Sequence, residues 1–152
     1  MKNDTLSVKG QVHIKVVGPD GQVKQEITKD NLIVHTGKAA IINRLQNTPT
    51  VTEVTHMSVG TGSAAETDAD TTLNTEIARV ALDGFSIITE TFTDDTIRYI
   101  ATFPAGTGTG SLVEAGLFND VTSGTMYSRV TFGVVTKGAE DAIQITWKYT
   151  IN

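Results

Sequence analysis

Residues 142–151 alternate without a break. Ile143, Ile145, Trp147, Tyr149 and Ile151 fall on one side, and Gln144, Thr146, Lys148 and Thr150 on the other. Successive side chains of a strand point to opposite faces, so this segment can bury one face in a core while the other meets water. A helix would scatter the same five apolar residues around its axis. The pattern therefore points to an antiparallel sheet. The start of the chain repeats it, with Val8, Gly10, Val12, Ile14 and Val16 on one face and Lys9, Gln11, His13 and Lys15 on the other. The tetrapeptide Gly18-Pro19-Asp20-Gly21 then supplies a turn, Pro fixing φ and Gly accepting positive φ. Val23, Gln25 and Ile27 resume the alternation, so residues 7–28 predict a β-hairpin. A lone hairpin is marginal in water; this one must pack on the rest of the chain or lie on a neighbouring subunit.

Further elements follow the same reading. Leu32–Val34 suits a short buried strand. A short helix is expected over Lys38–Leu45, capped by Thr36, with Ile41, Ile42 and Leu45 forming an apolar stripe. Asn47-Thr48-Pro49-Thr50 stops it, and Val51–Val59 alternates again. The small, polar and acidic residues 63–72 predict an exposed loop, and Leu73 to Arg79 a second short helix. Strands are expected over Phe85–Phe92, Ile97–Phe103, Leu112–Phe118, Met126–Val135 and Ala142–Ile151, with a turn at Thr93-Asp94-Asp95 and a flexible loop at 105–110. Many short strands with two brief helices predict a mainly β protein, an antiparallel β-sandwich or jelly-roll-like domain. The softest boundary lies near residue 30, dividing an N-terminal hairpin arm (1–30) from a sandwich body (31–152).

Composition narrows the function. A chain of 152 residues has the length for one domain with a real core. Threonine is its commonest residue, as suits a pleated, half-buried surface. Without Cys, disulfides, thiol catalysis and thiolate zinc sites are excluded. The net charge of −5 argues against a nucleic-acid groove. No run approaches the roughly 20 apolar residues of a membrane helix, and the amino terminus reads as lacking a signal peptide. A soluble protein without nucleic-acid or membrane partners is expected.

No constellation for catalysis assembles. Gly60-Thr61-Gly62 and the glycines at 106–110 lack the Lys-Ser/Thr of a phosphate loop. Glu66, Asp68 and Asp70 bring oxygens together, but Ile77 stands where an EF-hand places its bidentate Glu, so a solvated acidic loop is the better reading. His13, His35 and His56 are scattered, and no Gly-x-Ser-x-Gly elbow exists. Asp94 and Asp95 read as turn formers. Tyr99, Tyr127, Tyr149 and Trp147 could line a sugar groove, yet Tyr99, Trp147 and Tyr149 fall in the apolar register of their strands and read as core. Glu114 stands out: a carboxylate in the otherwise burial-suited run Val113–Phe118 needs a partner, and Arg79 and Arg129 are the planar cations available. Glu76 and Arg79 are spaced to pair with each other.

Four segments in order, Asn31–Gly37, Met57–Gly62, Leu73–Arg79 and Glu114–Phe118, together resemble a family of small tailed-bacteriophage virion proteins found as head decoration or as tail-fibre and collar modules. The resemblance covers roughly residues 31–151. It implies a structural part of a virus particle rather than an enzyme, with no catalytic residues, cofactor or metal. It also implies that Glu76, Arg79, Glu114 and Arg129 form an internal buckle or a subunit contact; Trp147 is the further structural candidate. The expected role is a decoration (cement) protein, a homotrimer on the outer surface of the major capsid protein lattice, assembled in the bacterial host cytoplasm. A tail, baseplate or fibre-attachment part is the alternative, and a carbohydrate-binding surface module the third possibility.

Overall fold

The computed structural model describes residues 4–152. Strands β1 (Val8–Val17) and β2 (Val23–Ile33) form the N-terminal hairpin, followed by helix α1 (His35–Arg44). Strands β3 (His56–Gly60), β4 (Glu76–Ala81), β5 (Gly84–Ile88), β6 (Thr96–Phe103), β7 (Gly110–Phe118), β8 (Met126–Lys137) and β9 (Ala142–Ile151) complete the chain. All pairings are antiparallel, in the order β4-β3-β7-β8-β2-β1-β9-β6-β5. The protein is mainly β, with one α-helix among the described residues, and its sandwich is made by curling a single sheet.

β2 makes the curl. Its residues up to Asn31 pair with β1, whereas Leu32 and Ile33 pair with Arg129 and Ser128 of β8. One strand thus passes from the layer β2-β1-β9-β6-β5 into the layer β4-β3-β7-β8. Between the layers lies one core, to which Val12, Ile14, Ile145 and Trp147 contribute from the first and Met57, Ala115, Leu117 and Val130 from the second. At the corner, the Trp147 indole N–H donates to Asn31 Oδ1 at 3.0 Å, which satisfies the polar tip of a fully buried ring. Asn31 finds room because residue 10, directly across from it, is glycine; a Cβ there would sit 1.9 Å from Asn31 Oδ1.

β9 lies in the middle of its layer, between β1 and β6. Ile143, Ile145, Trp147 and Tyr149 are buried, and only Ile151, at the strand's end, is largely exposed. The hairpin is laid into this layer: β1 pairs with β9 from Val8 opposite Ile151 to Val17 opposite Ala142. The boundary near residue 30 falls inside β2, and the apolar face of the arm belongs to the same core as Trp147.

Several local expectations are corrected. The helix runs His35–Arg44, and its N-cap is Val34, without a side-chain cap bond. The Thr36 hydroxyl instead donates to the Met126 carbonyl at 2.7 Å. Ile42 and Leu45 are exposed; the buried residues of α1 are Gly37 and Ala40. The helix lies so close to β8 that a Cβ on Gly37 would fall 1.9 Å from the Tyr127 carbonyl oxygen, so small residues choose the packed face. The expected helix over Leu73–Arg79 does not form, and Glu76–Ala81 is strand β4. The strand expected over Phe85–Phe92 stops at Ile88, and of Val51–Val59 only His56 onward joins the sheet.

Candidate functional site

The outer face of the layer β4-β3-β7-β8 is covered by the segment 61–75, and a buried carboxylate holds that segment down. Glu114, on β7, is wholly buried. Its Oε1 accepts the backbone N–H of Gly62 at 3.0 Å and of Thr75 at 2.7 Å, and its Oε2 accepts that of Asn74 at 2.9 Å. Arg129, on the neighbouring strand β8 opposite Gly116 and also buried, donates from Nε and Nη2 to Glu114 Oε2 at 3.1 and 2.8 Å. The rest of the guanidinium donates to the carbonyls of Ala64 and Ala65 and to Asp70 Oδ2 at 2.8 Å. A buried charge is tolerable only when paired and hydrogen-bonded; here both ends of a structureless loop supply the bonds. The expected Glu114–Arg129 pair exists, and its chemistry is that of a clasp.

The loop's acids are not simply solvated. Asp68 binds Lys38 Nζ at 2.8 Å, Asp70 binds Arg129, and Glu66 accepts from the Thr131 hydroxyl. Burial pushes the Asp70 pKa up, but the Thr67 backbone N–H and the Arg129 guanidinium outweigh it and hold the carboxyl below its ordinary range. Asp70 and Glu114 in turn outweigh burial and raise the Arg129 pKa. Leu73 anchors the loop's far end in a small cluster with Val34, Phe118 and Met126.

Glu76 and Arg79 also pair, for a reason different from helical spacing. Ile77 is an extra residue of β4, a bulge: Ala78 lies opposite Val59 and Glu76 opposite Gly60. The bulge turns residues 76 and 79 to one face, where Arg79 donates to Glu76 Oε2 at 2.7 Å. The same guanidinium donates to the carbonyls of Asp120 and Ser123 and lies 3.7 Å above the centre of the Phe118 ring. The structure thus brings Glu76, Arg79, Glu114 and Arg129 to one layer and places Trp147 apart, in the core between layers. The three histidines stay separate: His13 bonds Glu26, His56 bonds Thr55, and His35 lies 3.9 Å from Asp68.

A feature not anticipated is a groove of about 600 Å³ between the free end of α1 and the β5–β6 side of the sheet. Leu45, Phe85, Ile87, Ile97, Tyr99 and Ile151 give it an apolar lining, with Arg44, Glu53 and Asp94 at its mouth. Tyr99 and Tyr149 meet edge to face, their ring centres 6.2 Å apart, and burial pushes the Tyr99 hydroxyl up to about 12. The Tyr149 hydroxyl shares a hydrogen bond with Ser128 and the Tyr127 hydroxyl donates to the Thr52 carbonyl, so these rings serve as packing and not as a sugar platform. The signal for the groove was present in the sequence as Phe85 and Ile87, whose alternation names a face without saying what covers it.

Beside the groove, Asp95 closes the β5–β6 turn as expected of a turn former. It accepts the backbone N–H groups of Glu90, Thr91 and Phe92. Burial opposes its charge, but these donors and the Thr96 hydroxyl prevail and lower its pKa from 3.8 to about 2. A folded-state pKa below the unfolded one stabilises the fold above the unfolded value, and that contribution is lost as pH falls. Melting temperatures of the wild type are therefore expected to drop between pH 3.8 and about 2, and Asp95→Asn to flatten that part of the profile while lowering stability at neutral pH. A variant whose acid limb matched the wild type would show that other carboxyls carry it.

Among the described residues no group of three or more His, Asp and Glu converges to hold a metal ion, and no helix is long and apolar enough to cross a membrane. No protein-family model matches the chain, and comparison with curated proteins and with solved structures likewise finds no match.

Proposed function

We propose that this chain is a structural virion protein of a tailed bacteriophage, a decoration protein that binds the outer surface of the major capsid protein lattice as a homo-oligomer. The observation that carries this reading is where the four resembling segments lie. Asn31–Gly37 forms the corner and the start of α1, Met57–Gly62 is β3 and its exit, Leu73–Arg79 closes the covering loop and opens β4, and Glu114–Phe118 is the end of β7. All four meet around one clasped layer. Their charged side chains are engaged in holding that layer together, Glu114 by three backbone N–H groups and Arg79 by two carbonyls. Segments whose charges are spent on holding their own layer suit a scaffold, and a small scaffold repeated on a lattice gains its hold from many weak contacts.

The test is to add purified protein to phage heads lacking decoration, remove unbound protein and count bound copies by imaging. Hundreds per particle, on the head, are expected. A handful at one vertex or on the tail would move the protein to the tail or fibre-attachment role. No particle binding together with capture on a glycan array would replace the virion reading by a carbohydrate-binding one.

A further inference from the structure

The strand order of the curled sheet ends on β4 and β5, and only one of these two end strands is protected. On β4, Glu76, Arg79 and the bulge at Ile77 are devices that discourage strand pairing. β5 reads Gly84-Phe85-Ser86-Ile87-Ile88, without charge, proline or bulge. Phe85 lies directly opposite Tyr99, and Ile87 opposite Ile97, so the core-facing side of the layer continues onto this strand. Burial does not continue with it: Tyr99 is 9% exposed, Phe85 67% and Ile87 51%. Across the groove, Leu45 is 78% exposed.

We infer that β5 pairs with β5 of a second copy of this chain, antiparallel about a two-fold axis through Ser86, so that the two grooves close against each other. Identical antiparallel edges can meet only in this isologous way. The strand is self-complementary in that register. Phe85 faces Ile87 of the partner subunit, Gly84 leaves room opposite Ile88 of the partner subunit, and the small Ser86 sits on the axis. Leu45, Phe85, Ile87 and Ile151 leave on the order of 400 Å² of apolar surface open per copy. Two copies together supply about half of a standard interface of roughly 1,600 Å², the share of an apolar centre, to which the backbone ladder and rim add the remainder. This inference stands apart from the virion reading. It also differs from the three-fold assembly that the resemblance implies, since a self-pairing edge closes at two.

The full chain in solution tests it. Sedimentation is expected to show a dimer, and Ile87→Lys, at an exposed position, to weaken the dimer roughly a hundredfold or more with the circular dichroism spectrum unchanged. Because the chain has no Cys, Ser86→Cys provides a second reading. Cross-strand neighbours at an antiparallel pair lie within disulfide reach, so mild oxidation is expected to link two copies through residue 86, while Ala81→Cys on the protected edge gives no such product. A wild type that stays monomeric or sediments as a trimer overturns the inference, as does a dimer that survives Ile87→Lys or fails to cross-link at position 86.

Discussion

Glu114→Ala is expected to cost at least about 3–5 kcal/mol, the range for breaking a buried charge pair by removing one partner. The loss has two parts. Arg129 is left with only Asp70 as a counter-charge, and the N–H groups of Gly62, Asn74 and Thr75 lose their common acceptor. Each buried donor left unmade adds about 1–3 kcal/mol. The second part makes a distinctive demand. Replacing both Glu114 and Arg129 by leucine, which often restores stability when a buried pair is the whole story, is expected not to restore it here. Chemical denaturation of the two variants checks this, and hydrogen exchange is expected to show protection lost first across residues 61–75. A double variant as stable as the wild type would reduce the clasp to a replaceable ion pair.

Deleting residues 1–28 is expected to abolish folding altogether. The deletion removes all of β1 and half of β2, strips Val12, Ile14 and Val16 from the core and leaves one side of β9 without its ladder. It also severs most of the strand that joins the two layers. Circular dichroism and an unfolding curve on the truncated chain are sufficient: a cooperative transition would mean that β6, β9 and the second layer form a body without the hairpin. The deletion is thus the direct measurement of whether residues 1–30 are an arm or a part of the sheet.

Much of this was legible in the chain because strands announce their faces. The alternation of residues 142–151 named the buried face of β9, and that of residues 8–16 the inward face of β1; both follow from the period of the backbone alone. Glu114 was legible for another reason, since a carboxylate in an apolar run must find a counter-charge wherever it lands, and Arg129 was one of two candidates. What the pattern missed was decided by proximity. The spacing of Leu73, Glu76, Ile77 and Arg79 suits a helix turn, but a one-residue bulge in a strand delivers residues 76 and 79 to one face equally well. The apolar stripe of α1 was misjudged because β8 runs so near that only Gly37 and Ala40 fit beneath the helix. Leu73 is the one large apolar residue of the covering loop 61–75, so little that is local betrays that it is fastened from across the sheet.

The pairing of β1 with β9 sets the order in which the molecule can be made. Val17 lies beside Ala142 in the finished sheet, so the hairpin, once it has left the ribosome, waits for more than a hundred further residues before its open side is occupied. At about 5–20 residues per second that delay is on the order of ten seconds, far longer than the microseconds a hairpin needs to form. Throughout that interval Val12, Ile14 and Val16 have no lid, and a row of backbone donors and acceptors is free to pair with any passing strand. Lys9 and Lys15 on the reverse face of β1 put charge on the strand, which discourages such pairing before β9 arrives. Folding is correspondingly expected to be slow, as it is where many contacts join distant parts of a sequence.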